Sequence, residues 1–268
     1  MHSGNEQALV NVLRNPAQVQ GYALKEWDLL VRQARRADLL ATVFSLIKNA
    51  GFDQKIPADV RHHFDAHTTL VHANQTAIRW EVSQIYRVLE GLSEPPILLK
   101  GAAYVEAGLQ VAIGRIFNDI DILVPKADIE KAEKTLFFAG WSSGHLDDYD
   151  QKYYRTWMHE LPPMQHLRRG TALDVHHTLL PETGRLKPNI RKLMDAAITL
   201  TEREACVVRV LAPVDMVLHS AAHLFHEGEF DHGLRDLFDL HRLLMQFSNE
   251  PGFWQGLIVR AQEVDLVQ

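Results

Sequence analysis

Between Asn118 and Pro125 the chain reads Asp-Ile-Asp-Ile-Leu-Val, a short apolar run that carries two carboxylates. A run of this kind, closed by proline, predicts a β-strand. Successive side chains of a strand alternate between faces, so Asp119 and Asp121 project from the same face, about 6.5–7 Å apart along it. Ile120, Ile122, Leu123 and Val124 anchor the strand and let both carboxylates be held rigidly. Two carboxylates on one face repel each other unless positive charge stands between them. A divalent cation removes that cost. Mg2+ accepts one or two carboxylates together with substrate phosphate oxygens, and two such ions about 3.5–4 Å apart can clamp both ends of an in-line displacement. Alone, Asp-x-Asp is a weak signal, because surface strands show it too.

The rest of the chain sets this strand in an α+β frame of three zones: a helical region over 1–95, a core over 96–180 and a second helical region over 181–268. In the first zone, apolar residues from Trp27 to Ile47 recur at three and four, the helical period, up to Gly51. A further helix follows Pro57 and runs to about Leu92. Pro95-Pro96 then marks a change of texture. Ile97-Leu98-Leu99 reads as a buried strand ahead of Lys100-Gly101, with a helix over Ala102–Leu109. Asp128 is placed to cap a helix that runs to Ala139 and stops at Gly140. Met164–Arg168 and Ala172–His176 flank Gly170-Thr171 and read as a hairpin. In the last zone the helical signals are Pro213–His226 and Leu234–Phe247.

The 268 residues suffice for a real core, and the apolar (46%) and charged (23%) fractions are those of an ordinary globular protein. No run approaches the roughly 20 apolar residues of a membrane span, and the N-terminal sequence has no apolar leader. The single cysteine, Cys206, sits in an apolar run and reads as a packing thiol. A cytoplasmic protein is expected. The net charge of −6 argues against a long nucleic acid as partner, since such partners call for a basic footprint.

Asp174, in Leu173-Asp174-Val175, is another carboxylate flanked by apolar residues on an expected strand. Its bland alternative is a strand-edge Asp bonded to a nearby histidine or turn. Lys100-Gly101 follows a strand and opens a helix; glycine allows close backbone approach, and a helix N-terminus favours anions. Lys100 can add a point charge to a triphosphate or pair with a site carboxylate.

The order Leu99-Lys100-Gly101-Ala102, Arg115, Asp119-Ile120-Asp121-Ile122-Leu123-Val124 and Leu173-Asp174-Val175-His176 resembles the polymerase-beta-type nucleotidyltransferase superfamily. More narrowly it resembles a bacterial family of uncharacterised nucleotidyltransferases, over about Trp27 to Leu244. The resemblance implies a small mixed-sheet core between N- and C-terminal helical flanks. It implies binding of an NTP, ATP by default, with two Mg2+ ions held by Asp119, Asp121 and Asp174. Asp174 would also help deprotonate the acceptor hydroxyl. Lys100, Gly101, Arg115 and His176 would bind the nucleotide, with Arg115 forking onto phosphate oxygens. The turn before the helix departs from better-known members, which carry Gly-Ser or Gly-Gly there. The acceptor is open: a small molecule, a peptide or a protein.

Two rivals have their own signals. A non-catalytic nucleotide-binding protein of the same fold would be marked by a missing carboxylate, and all three are present. A metal hydrolase could centre on His219 and His223, which are spaced i,i+4 on one helix with His226 beyond. There the residue after the first histidine is Ser220, not the Glu of a His-Glu-x-x-His site, and a helix face packed against the sheet is the simpler account.

Overall fold

The computed structural model describes residues 7–144, 160–200, 207–226 and 232–267. Cys206 lies outside them. The chain divides into two units. One takes the chain up to Thr76 and adds Val111–Ile116; the other takes Ala77–Gln110 and the chain from Phe117 on.

The first unit is helical. Helix α1 (Ala8–Arg14), α2 (Leu24–Arg36) and α3 (Leu40–Asn49) lead to α4 (Ala58–Val88), whose first part belongs here. Trp27, Leu30, Val31 and Ala34 are the buried stripe of α2, spaced three and four apart, and they join Val12, Val43, Ile47 and Phe64 in one core. The continuous period from Trp27 to Ile47 hides a break. Asp38 takes a left-handed φ of 54°, and the Leu39 N–H returns to the Ala34 carbonyl at 2.8 Å, so one periodic stretch becomes two helices. Gly114, with φ +79°, lies against the Thr42 backbone; a Cβ there would stand 2.3 Å from the Thr42 nitrogen.

Among the described residues the second unit is a seven-stranded mixed sheet with helices, the α+β architecture expected from the sequence. The strands are β1 (Ile97–Leu99), β2 (Asp119–Leu123), β3 (Trp141–Ser142), β4 (Met164–His166), β5 (Ala172–His176), β6 (Ile198–Thr199) and β7 (Arg209–Val210). Their order is β3-β4-β5-β2-β1-β7-β6. β2 pairs antiparallel with β1 and parallel with β5, so the Asp-x-Asp strand lies inside the sheet. Ile120, Ile122, Leu123 and Val124 are each no more than 1% exposed, as such a strand requires. β4 and β5 form the expected hairpin. Arg169 in its turn donates from Nε to Glu81 of α4 at 2.6 Å and lies over the rings of Trp80 and Trp141.

Among the described residues this unit holds, besides the end of α4, the helices α5 (Lys100–Glu106), α6 (Ile129–Phe138), α7 (Ile190–Ala196), α8 (Pro213–His226), α9 (Gly233–Phe247) and α10 (Phe253–Glu263). Asp128 stands at the N-cap of α6, but its side chain does not cap it: the carboxylate instead accepts from the Ser93 N–H at 2.8 Å and from the Ser93 hydroxyl. Asp215 on α8 is fully buried and is met by Arg260 of α10 through two bonds, 2.8 and 2.9 Å. Among the described residues no helix is long and apolar enough to cross a membrane.

Candidate active site

Strand register brings the carboxylates together. β2 and β5 run parallel with Asp121 opposite Asp174 and Asp119 opposite Ala172. Paired residues share a face, and residues two apart on a strand share it as well. Asp119, Asp121, Asp174 and His176 therefore occupy one face of two adjacent strands. Leu99 lies opposite Asp121 on β1, and the next residue, Lys100, turns the chain into α5.

Lys100 adopts φ +42°, the left-handed region that a side chain rarely takes. That turn sends its ammonium back over the strand, where Nζ lies 3.1 Å from Asp121 Oδ1. Strain at such a position is held by the surrounding packing. Gly101 is part of that packing. A Cβ on it would stand 2.3 Å from Phe117 Cδ1, so the missing side chain makes room for the Phe117 ring. Phe117 in turn lies edge-on to Tyr104 of α5.

A second group meets the same carboxylate oxygen. His176 Nε2 is 3.0 Å from Asp121 Oδ1, and its Nδ1 is 3.2 Å from Glu160 Oε2. Lys100, Asp121, His176 and Glu160 thus form a chain of alternating partners. Glu160 has no counterpart in the sequence analysis. It precedes Pro162-Pro163 and carries no motif, and only its bridge to His176 on β5 brings it to the site.

The electrostatics split the three carboxylates. Burial pushes Asp121 up, but Lys100 and His176 outweigh it and hold the group well below the usual carboxylate range. Asp174 lacks such partners. Burial, then the charges of Asp121 and Asp119, push it up to about 7. Asp119 is an exposed residue, yet protein around its carboxylate and the Asp121 charge raise it, with Lys100 and Arg235 of α9 pulling the other way. The face therefore carries more negative charge than its cations offset.

The donor chemistry fits a hard divalent cation: carboxylate oxygens on one face, two of them raised by burial and by the charge of neighbouring carboxylates. Among the described residues no three His, Cys, Asp or Glu converge closely enough to hold a metal ion by themselves. Asp121 is instead closed onto Lys100 and His176. The same finding covers His219 and His223. His219 is 3% exposed, and burial, followed by the charges of Lys100, His223 and His176, holds it well below the ordinary histidine value. Its burial makes it a packed core histidine of α8. Beside it, Ser220 bonds Tyr104, whose phenol burial pushes up.

Arg115 is placed in the first unit. It is 3% exposed and donates from Nη1 to the Asp38 carbonyl at 3.3 Å. The group assembled in the second unit is Lys100, Asp119, Asp121, Asp174 and His176, joined by Glu160.

A mixed sheet that presents three aspartates from two parallel strands, flanked by helices, defines an α+β protein with a carboxylate-centred site. The family model of uncharacterised nucleotidyltransferases matches residues 24–268, and the chain belongs to that family. No curated protein matches it. The family name makes the chain a transferase of nucleotidyl groups in the general sense.

Proposed function

We propose that the protein moves a nucleoside monophosphate from an NTP, ATP by default, to an acceptor oxygen and releases pyrophosphate, with Mg2+. One observation carries this reading: Asp119, Asp121 and Asp174 share a face because β2 and β5 pair in parallel with Asp121 opposite Asp174. In the reaction the acceptor oxygen bonds to the α-phosphorus, and the bond from that phosphorus to the bridging oxygen of the β-phosphate breaks. The electron pair leaves with pyrophosphate.

Asp119, Asp121 and Asp174 are the residues that would hold Mg2+, two ions by this reading, and a bound ion would neutralise charge on the phosphates. Asp174 would also take the proton of the acceptor hydroxyl. Lys100 would bring an ammonium to the phosphates, and the amide groups at the start of α5 favour an anion. His176 steadies Asp121 during these events. The acceptor is a small molecule, a peptide or a protein hydroxyl; the acidic chain disfavours a long nucleic acid.

The test is isothermal titration of each NTP with Mg2+ into the wild type and an Asp119→Asn/Asp121→Asn double variant. Binding that needs the metal and is lost in the variant supports the reading and names the base. A folded wild type that binds no NTP refutes it.

A further inference from the structure

Glu160 performs no step in the reaction above, yet the backbone holds it firmly against the site. It bridges His176 in antiparallel fashion, and the Leu161 N–H donates to the Val175 carbonyl at 2.9 Å. The Glu160 side chain is 15% exposed and that of His176 3%, so the contact of Oε2 with Nδ1 at 3.2 Å is shielded from water. The other ring nitrogen faces Asp121 Oδ1 at 3.0 Å. The imidazole is therefore held between two carboxylates, one at each ring nitrogen. A ring gripped at one end only is free to turn about its outer torsion.

We propose that Glu160 is a positioning residue of the transfer site. It locks the His176 ring so that Nε2–H stays on Asp121 Oδ1, and this orients the Asp121 carboxylate toward the cation. The proposal rests on the reading of the aspartates as cation ligands. Groups that orient ligands from behind in this way change metal affinity by about 10–100-fold when removed. Asp121 would keep Lys100 without Glu160, but it would lose its second fixed contact and with it a single orientation.

The experiment titrates Mn2+ into the full chain with α,β-methylene-ATP and follows free Mn2+ by electron paramagnetic resonance. Glu160→Ala and Glu160→Asp, whose carboxylate falls short of the ring, are expected to weaken Mn2+ binding by about 10–100-fold. Glu160→Gln keeps an acceptor oxygen in place and is expected to bind as the wild type does. A purely structural Glu160 would lower the melting temperature in the Ala and Asp variants and leave Mn2+ affinity of the folded protein unchanged; that outcome overturns the proposal while the carboxylate reading stands. If Glu160→Ala does not fold, the contrast between Gln and Asp decides, and equal affinities overturn the proposal. If the wild type takes up no more Mn2+ than Asp119→Asn/Asp121→Asn, the carboxylate reading fails and the role of Glu160 fails with it.

Discussion

The chemistry of single residues here is a matter of which charges have partners. Asp121 is satisfied by Lys100 and His176, whereas at Asp174 burial and the charges of Asp121 and Asp119 outweigh the pull of Lys100. Its value of about 7 lies above the ordinary 3.8, so near pH 5 to 6 the folded state holds a proton that the unfolded chain has lost. The folded state therefore gains stability from this group at low pH, and the gain disappears as pH rises from about 4 to about 7. In metal-free buffer, the stability of the wild type minus that of Asp174→Asn is expected to fall over this range in urea titrations. A difference that stays flat would show that Asp174 is not coupled to a proton. Mg2+ with nucleotide should stabilise the wild type more at pH 8 than at pH 5.5, because binding then displaces fewer protons. Gly101 gives a second residue-scale test. Its Cβ would overlap Phe117 Cδ1 and Cγ, 2.3 and 2.5 Å away, and both belong to a packed ring. Gly101→Ala is expected to cost about 1–3 kcal/mol, and Phe117→Leu in the same chain to recover part of that, as read by chemical denaturation.

At the scale of elements, the periodic signals located helices and strands well but not their junctions. Asp38 breaks the long N-terminal period through one left-handed residue, which no apolar pattern reports. Asp128 sits where a cap was expected and spends its carboxylate on Ser93, so the start of α6 is tied to the loop after α4 instead. Helix α8 is tied to α10 by the pair Asp215 and Arg260. Asp215 is fully buried, so Arg260→Ala leaves a charge without compensation and is expected to cost about 3–5 kcal/mol. The double variant Asp215→Leu/Arg260→Leu should be considerably more stable than Arg260→Ala alone. Equal losses in both would show that the pair matters only through packing.

For the whole molecule, the family places residues 24–268 among nucleotidyltransferases, and the site predicts how the chain responds to ligand. A ligand that binds only the folded state at 100 times its Kd adds about 2.7 kcal/mol of stability. Mg2+ with the correct NTP should therefore raise the Tm of the wild type by several degrees, and either component alone should do less. The Asp119→Asn/Asp121→Asn variant should show no such shift. An equal shift in that variant would move nucleotide binding away from the three aspartates.

Local order in the sequence was enough to put Asp119 and Asp121 on one face, because strand side chains alternate with a period of two wherever the strand lies. It was enough to recognise the buried strand around them, the hairpin that carries Asp174 and the helical flanks, since each depends on neighbours a few positions apart. The pairing of Asp121 with Asp174 was not settled at that level, because register between strands 53 positions apart depends on how the whole sheet packs. Nor was the closure of Lys100 onto Asp121, which needs a left-handed residue, a glycine and the Phe117 ring at once. The role of Gly101 as room for that ring, the membership of Arg115 in the first unit and the arrival of Glu160 at His176 likewise belong to the tertiary structure. Each rests on contacts between segments far apart in the chain, and a one-dimensional pattern carries no record of which distant segments meet.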